Sequence, residues 1–163
     1  MKKLKMVRKA TQQDFSRILE IYAYARRFMA DNGNPTQWGM TYPDAELLQE
    51  DLSEDRLYVV TCGDKVCGVF MFTIGADPTY ALIEDGAWHS DALYGTIHRI
   101  AGDGTGGVFR ACLDYCKNRI NYLRIDTHEN NKIMQHAVTK AGFRHCGIIY
   151  TDDGTPRIAF DRI

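Results

Sequence analysis

The groups best suited to binding chemistry lie at positions 102–107, where the sequence reads Gly-Asp-Gly-Thr-Gly-Gly. Four glycines in six positions are costly inside a helix or a strand, so they predict a turn. Residues 94–101 before it have the bulky, β-branched composition of a strand, and from Phe109 onward apolar residues return every three or four positions, as in a helix. A glycine-rich turn at a helix start leaves backbone N–H groups open to an anionic oxygen. The stretch therefore indicates a phosphate or pyrophosphate site, although a plain connection has the same pattern.

Two familiar phosphate-binding fingerprints are absent from this stretch. It does not end in Gly-Lys-Ser or Gly-Lys-Thr, which excludes a Walker-type loop, and its glycine spacing does not fit Gly-x-Gly-x-x-Gly. The kind of anionic ligand has to be inferred from the rest of the chain.

Composition narrows the class of protein. The 163 residues fit one domain, and 20 basic against 21 acidic side chains give no charge excess for nucleic acid or an anionic membrane. No apolar run approaches the roughly 20 residues that span a bilayer, and the N-terminal Met-Lys-Lys-Leu-Lys lacks the apolar part of a signal peptide. We therefore expect a cytoplasmic protein without nucleic-acid or membrane partners. The odd number of cysteines, five, agrees with reduced thiols there.

The order of elements predicts a mixed fold. Thr11 and Asp14 form a capping-box pattern at the start of a first helix, and Pro43 is expected to begin a second one. Residues 76–93 are expected to be irregular or to form a broken strand, and a helix is expected to open at Asn130-Asn131. Strands are expected over residues 6–9, 57–61, 66–74, 94–101, 122–127, 143–150 and 157–160.

This order of elements predicts a single α/β (α+β) domain over residues 1–163. It has about seven strands and about four helices, with the helices covering a largely antiparallel sheet. Only the strand-helix-strand unit around residues 96–127 must be parallel and right-handed.

Three ordered motifs resemble the GNAT acetyltransferase superfamily. Ile-His-Arg-Ile-Ala at 97–101, followed by the glycine turn and by Gly107-Val108, is similar to the acyl-CoA-binding strand, loop and helix of that family. Leu-Arg-Ile-Asp-Thr-His-Glu-Asn-Asn and the later Ala-Gly-Phe at 141–143 resemble its next motif. The capped first helix also falls where the family has one, so the resemblance covers nearly the whole chain.

The resemblance implies acetyl-CoA as cosubstrate and a sheet whose fourth and fifth strands are parallel and splay apart. The backbone of Ile100, Ala101 and Gly102 would then bind the pantetheine arm, with Asn131 beside it. The pyrophosphate would lie on the amides of Gly104, Thr105, Gly106, Gly107, Val108, Phe109 and Arg110. No metal is expected.

The chain departs from the family pattern at three positions. When the first glycine of the family's Gln/Arg-x-x-Gly-x-Gly/Ala loop is matched to Gly107, Gly104 stands at the Gln/Arg position and Phe109 at the last small position. The family's frequent general-acid tyrosine is replaced by Val138.

Acetyl transfer needs a base for the amine and an acid for the leaving thiolate. His98, on the cofactor strand, and His128, at the end of the next strand, are the candidate bases, with Asp126 available to orient an imidazole. Each histidine has a structural alternative, burial for His98 and support of a turn for His128. Tyr150 is the remaining phenol for the acid.

A substrate pocket is a further expectation. Aromatic faces together with a carboxylate could bind the cation of an amine, although loop aromatics also close over a core. The candidates are Trp38, Tyr42, Tyr80, Glu84 and Tyr94, with Asp85 and Trp88 close by in the sequence.

The cysteines are expected to be structural. Cys112 and Cys116 have a metal-compatible spacing but fit an apolar helix face, and Cys62 and Cys67 flank a hairpin turn. His145-Cys146 offers a nucleophile that direct acetyl transfer does not need.

We therefore expect an acetyl-CoA-dependent N-acetyltransferase acting on the primary amine of a small molecule, or alternatively of a peptide. A catalytically silent acyl-CoA sensor of the same fold is the second hypothesis, motivated by Val138 and Phe109, and a nucleotide-phosphate binder unrelated to CoA is the third. A homodimer is the expected assembly, because a final hairpin offers a strand edge.

Overall fold

A computed structural model describes residues 4–163, so the first three residues of the N-terminal segment lie outside it. Within that range no helix is both long enough and apolar enough to cross a membrane. The elements are β1 (Lys5–Lys9), a 3-10 turn (Gln12–Asp14), α1 (Phe15–Asp31), α2 (Ala45–Ser53), β2 (Leu57–Cys62), β3 (Lys65–Ile74), a 3-10 turn (Pro78–Tyr80), β4 (Gly95–Gly102), α3 (Val108–Lys117), β5 (Leu123–Thr127), α4 (Lys132–Lys140), β6 (Arg144–Tyr150) and β7 (Pro156–Arg162).

The seven strands form one sheet in the order β1-β2-β3-β4-β5-β7-β6. The described pairings are antiparallel except for that of β4 with β5, which is parallel. The register of this parallel pair joins Gly95 to Leu123 and Thr96 to Arg124. The predicted fold class is confirmed, including the parallel fourth and fifth strands.

The residues divide into two compact units. The first holds the chain up to Phe72 together with His98–Cys116, and the second holds Thr73–Ile97 and Lys117–Ile163. In the first unit α1 buries one apolar face, because its apolar residues recur at helical spacing. Its core consists of Ile18, Ile21, Tyr22, Ala25, Trp38, Leu48, Leu57, Val59, Val66, Val69 and Ala101.

The predicted capping residues start α1 through a 3-10 turn. The backbone N–H of Thr11 donates to Asp14 Oδ2 over 2.8 Å, and Arg8 donates to the same carboxylate over 2.7 and 2.9 Å. Helix α2 begins later than expected from Pro43. It starts at Ala45, because the side chain of Asp44 caps it by accepting from the N–H of Leu47 at 2.8 Å.

The second unit has an aromatic core under an irregular segment. Its cluster contains Tyr80, Tyr94, Tyr122, Cys146, Ile149 and Ala159, with Ile83 and Trp88 packed against it. The segment between β3 and β4 forms an antiparallel bridge from Glu84 to Ile148 of β6. Residues 76–93 are therefore irregular, as predicted, yet they are attached to the sheet.

The Asp14→Asn substitution tests the start of α1. The hydrogen-bonded guanidinium of Arg8 lowers the pKa of Asp14 from 3.8 to about 2. A lowered carboxylate pKa adds stability that is present above the unfolded pKa and is lost as the pH falls through the folded pKa. We expect the substitution to lower the free energy of unfolding by about 1 kcal/mol at pH 7 and by almost nothing at pH 2, measured by urea unfolding.

The matched control is Asp31→Asn, at the exposed end of the same helix. It should change the free energy of unfolding by less than about 0.5 kcal/mol. An equal loss for Asp14→Asn at both pH values would contradict the role of its charge.

Candidate functional site

The glycine turn joins β4 to α3 and is open to solvent. Gly104, Gly106 and Gly107 have φ values of 92°, 91° and 77°, in the left-handed region that favours glycine. All three are exposed, whereas Val108 at the start of α3 is buried. The N–H groups of the first helical turn have no acceptor inside the helix, so they can donate to an anion.

Two further glycines let the start of α3 lie directly on the sheet. A Cβ placed on Gly68 of β3 would come within 2.5 Å of Val108 Cγ1, and one on Gly102 of β4 within 3.1 Å of Val108 Cγ2. Any side chain at Gly68 would therefore push α3 away. This close approach fixes where the helix N-terminus points.

Asp103 places a negative charge inside the turn. Its carboxylate accepts from the N–H of Thr105 at 2.9 Å and from the Thr105 hydroxyl, and it pairs with Arg17 at 2.7 Å and Lys65 at 3.7 Å. Burial tends to raise its pKa, but the Thr105 hydrogen bonds and the two cations outweigh burial and lower it. The backbone N–H of Thr105, predicted to bind the pyrophosphate, thus already donates to Asp103. The backbone N–H groups that follow Thr105 remain for an anionic ligand.

Basic side chains surround this turn. The Lys5 side chain lies against Gly107, where a built Cβ would meet its Cε at 3.0 Å. A cavity of about 250 Å³ beside Asp103 is lined by three cations, two carboxylates and two other side chains. The three cations are Arg17, Arg27 and Lys65. Their charge is suited to an anionic ligand, since it exceeds that of Glu20 and Asp103.

The departures from the family loop have definite positions. Phe109 is half-buried, so part of its side chain is still exposed near the start of α3. Arg110 is exposed and lies 3.4 Å from Asp114 one turn later. Exposed pairs of this kind are weak, so the guanidinium of Arg110 remains available to a ligand.

Strand β4 is distorted at Arg99, whose φ is 54°. A left-handed conformation costs a non-glycine residue about 1–3 kcal/mol, so surrounding contacts must hold it. The phenol of Tyr22, which is fully buried, donates to the Arg99 carbonyl over 2.6 Å. Simple alternation along the strand therefore fails at this point, so it does not decide which way the His98 side chain faces. His98 itself is half-buried.

A buried carboxylate holds the Arg99 side chain. Asp51 of α2 is 0% exposed and accepts from Arg99 at 2.6 Å and from Arg56 at 2.8 Å. Arg99 also donates to the Tyr42 hydroxyl at 3.2 Å. Sequence reasoning missed Asp51, although an acidic residue on the same helix face as Leu48 and Leu52 was a signal that its charge would need a buried partner.

Two of the predicted pocket aromatics lie in this first unit. Trp38 is buried and packs edge-on against Tyr22, with ring centroids 5.6 Å apart. Tyr42 is exposed, with its ring 6.3 Å from that of Trp38. Only Tyr42 therefore offers its ring and its hydroxyl to a solvent-borne ligand.

The other pocket aromatics lie in the second unit, where Tyr94 and Trp88 contact a cation of the protein itself. Tyr80 and Tyr94 are buried, and the guanidinium of Arg124 lies 3.9 Å from the Tyr94 ring centroid and 4.1 Å from that of Trp88. Tyr80 donates to Asp126 at 2.7 Å. Arg124 is thus a cation of the protein that the rings of Trp88 and Tyr94 already contact.

His128 and Asn131 lie together where β5 ends. His128 Nδ1 accepts from the N–H of Asn130 at 3.0 Å, and the Asn131 side chain caps α4 by accepting from Met134 at 3.0 Å. Burial, followed by the charge of Arg157, lowers the pKa of His128. Its ring is therefore neutral at pH 7, supports the turn through Nδ1, and can act as a base only through Nε2.

Glu84 and Tyr150, predicted separately, are brought together. The Tyr150 hydroxyl donates to Glu84 Oε2 at 2.9 Å, and this hydrogen bond raises the pKa of the phenol. Both side chains are exposed. Val138, in contrast, is fully buried in α4, so the position of the family tyrosine faces the core.

The cysteines are free thiols. Cys112 and Cys116 are buried on α3, as expected for an apolar face, and burial raises the pKa of Cys112. Cys146 does not act with its sequence neighbour His145, which packs against Phe160. It lies 3.4 Å from Nδ1 of His89 instead.

Comparison with known proteins identifies the fold. No family model and no curated protein matches the sequence. A GNAT-family acetyltransferase from Streptococcus agalactiae 2603 is 27% identical, with a TM-score of 0.87 over 100% of this chain and 97% of that chain. A putative acetyltransferase from Staphylococcus aureus Mu50 is 24% identical, with a TM-score of 0.67 over 96% of this chain and 97% of that one.

The fold also occurs in a more distant enzyme. FeeM, an N-acyl amino acid synthase from uncultured soil microbes, is 15% identical, with a TM-score of 0.61 over 98% of this chain and 91% of that chain. The named neighbours are acyltransferases, which supports acyl transfer as the general chemistry.

The Asp51→Ala substitution tests the buried ion pairs. Removing this carboxylate leaves Arg99, whose side chain is 11% exposed, without its charge partner. Breaking a buried pair on one side costs about 3–5 kcal/mol, so we expect a loss of that size in the free energy of unfolding, measured by urea unfolding. Glu50→Ala is the control, since Glu50 is exposed and lies 3.6 Å from Arg56. Equal losses for both variants would show that burial of Asp51 does not matter.

Proposed function

We propose that this chain, whose fold is that of GNAT-family acetyltransferases, is an acetyl-CoA-dependent N-acetyltransferase whose acceptor is the primary amine of a small molecule. A peptide amine is the less favoured acceptor. The observation that carries the proposal is the exposed, left-handed glycine turn placed at the start of α3 by the contact of Val108 with Gly68 and Gly102. Such a turn binds the diphosphate of a nucleotide carrier through backbone amides.

The cosubstrate would extend from this turn along β4. The pyrophosphate binds the amides from Gly106 to Arg110, because that of Thr105 is engaged by Asp103. Lys5 and Arg17 add positive charge. The backbone from Ile100 to Gly102 hydrogen-bonds the pantetheine arm and supplies a donor for the thioester oxygen, as the family resemblance implies. Asn131 is proposed as a further pantetheine contact.

The amine then attacks the thioester directly. A base removes its proton, the carbon–nitrogen bond forms, the carbon–sulfur bond breaks, and an acid protonates the thiolate of CoA. We assign the base to His98 or to Nε2 of His128, and the acid to Tyr150, whose phenol donates to Glu84. Tyr42, whose ring is exposed, is proposed to contact the acceptor.

The Gly106→Ala substitution tests the cosubstrate site. Gly106 has a φ of 91° and an added Cβ would meet nothing within 4 Å, so alanine introduces backbone strain without a clash. A left-handed backbone conformation costs alanine about 1–2 kcal/mol. The free variant therefore relaxes to another conformation, and it has to return to the strained one in order to bind acetyl-CoA. We expect the Kd for acetyl-CoA, measured by calorimetry, to rise about tenfold.

Gly33→Ala is the matched control. Gly33 has a φ of 82° with nothing within 4 Å of an added Cβ, and it lies after α1 rather than in the turn. It should lose similar stability and keep its affinity for acetyl-CoA. If both variants bind acetyl-CoA like the unmodified chain, the cosubstrate does not lie on this turn.

The His98→Gln substitution tests the base. Loss of a general base lowers kcat by about 10²–10⁴-fold, and we expect a decrease in that range at pH 7, measured by release of CoA with an amine that is turned over. His136→Gln, on the exposed face of α4, is the control and should leave kcat unchanged. Should His98→Gln have no effect while His128→Gln lowers kcat, His128 is the base. Should neither matter, both assignments are wrong.

A catalytically silent acyl-CoA sensor is the second candidate function. The observation that favours it is Val138, which is buried where the family carries its general-acid tyrosine. A sensor would gain thermal stability from CoA but release no CoA from acetyl-CoA across a panel of amines.

The proposed homodimer has one constraint. At the outer edge of β6, Ile148 exchanges hydrogen bonds of 2.9 and 2.8 Å with Glu84, and the Cys146 carbonyl accepts from Ala87 at 2.9 Å. These groups are not available to a second chain. A homodimer cannot pair through this part of the β6 edge.

A further inference from the structure

We infer that His89, Cys146 and Asp161 form a zinc-binding site in the second unit, separate from the proposed acetyl-transfer residues. Across residues 4–163 this is where a thiol, an imidazole and a carboxylate converge, with their ligand atoms all within 4.8 Å of one another. Thiolate, imidazole nitrogen and carboxylate oxygen together are a ligand set that zinc prefers.

The spacing of the ligand atoms suits a tetrahedral ion. His89 Nδ1 lies 3.4 Å from Cys146 Sγ and 2.6 Å from Asp161 Oδ1. Zinc distances of about 2.0–2.3 Å require ligand atoms roughly 3.3–3.6 Å apart. The sulfur–nitrogen separation already fits, and the nitrogen–oxygen separation has to widen by about 0.7 Å. The His89 side chain is partly exposed, so a small rotation of its ring can supply this movement.

Backbone geometry places the three residues together. The pairing of β6 with β7 shifts register between His145 and Gly147, at Cys146. A Cβ on Gly86 would lie 1.9 Å from the Cys146 carbonyl oxygen, so only glycine lets the segment that carries His89 approach β6 this closely. Asp161 is brought in from β7.

The carboxylate is already oriented as metal-bound carboxylates are. Asp161 Oδ2 accepts from the N–H of His89 at 2.8 Å and from the Tyr122 hydroxyl at 2.8 Å, which leaves Oδ1 facing the imidazole and the thiol. Hydrogen bonds of this kind hold a ligand in place for the metal. When zinc binds, the thiol releases its proton to solvent, and the neutral imidazole carries its proton on Nε2, so that the lone pair of Nδ1 faces the ion.

Charge and access are compatible with the ion. Asp161 and Cys146 are 0% and 4% exposed, and a carboxylate with a thiolate neutralises the two charges of zinc. The Arg124 cation lies over aromatic rings and donates to Tyr122 and to the Ser90 carbonyl. The His89 side chain is 33% exposed, so solvent can reach the site and supply water as the fourth ligand.

The test uses the full chain freed of metal by a chelator. Zn²⁺ is titrated in competition with a chromophoric chelator, and Co²⁺ is added as a spectroscopic probe. We expect one ion per chain, with a near-ultraviolet charge-transfer band from thiolate to cobalt. Cys146→Ser should lose the band and weaken zinc binding at least about tenfold.

Two further variants make the result specific. Tyr122→Phe keeps the ring but removes the hydroxyl that holds Asp161, and it should weaken zinc binding about 10–100-fold. Cys62→Ser, at a free thiol of β2, is the control and should bind like the unmodified chain. Circular dichroism checks that each variant is folded.

The inference is overturned if the chain does not compete with the chelator for Zn²⁺, if Co²⁺ binds without the thiolate band, or if Cys146→Ser binds zinc like the unmodified chain. The three residues would then be a hydrogen-bonded cluster that attaches the irregular segment to the sheet. Neither the binding of zinc nor its failure to bind tests the acetyl-CoA proposal, because the zinc ligands are not part of the glycine turn.

Discussion

The buried carboxylate of Asp51 is the interaction on which the first unit depends. It pairs with two guanidinium groups, and one of them belongs to Arg99, the residue where β4 leaves regular strand geometry. A left-handed arginine is unfavourable by itself, so it persists because its side chain is paired and its carbonyl accepts from buried Tyr22. The strand that carries the proposed cosubstrate contacts thus takes its shape from residues on α1 and α2.

The second unit also buries charged side chains, those of Asp161 and Arg124. Asp161 is fully buried, and its oxygens accept from His89 and Tyr122, so the carboxylate keeps hydrogen bonds in place of water. Arg124 has aromatic faces on several sides. The irregular segment between β3 and β4 is held by these polar groups as much as by apolar packing, which explains how a stretch without periodicity is ordered.

The elements were predictable where local rules decide them. The capping pattern of Thr11 and Asp14 places the start of α1, and the glycine turn follows a strand and precedes a helix, because glycine spacing and apolar periodicity are properties of the chain itself. The prediction of the α2 start from Pro43 was wrong by two residues, since the Asp44 side chain caps the helix. The backbone part of the candidate site, the glycine turn, was predictable from the sequence. The contacts of the side chains around it were less predictable.

The sequence by itself determined the order of the elements, the parallel pair within the sheet and the exposed glycine turn, because hydrophobic period and glycine content act over a few neighbouring residues. Only the tertiary structure decided which charges meet. Asp51 and Arg99 are 48 positions apart, and His89 and Asp161 are 72 positions apart. A local sequence pattern does not predict such pairs, because the two residues are far apart in the sequence and come into contact only when the chain folds. The conformation of Arg99 and the grouping of His89, Cys146 and Asp161 are consequences of that folding.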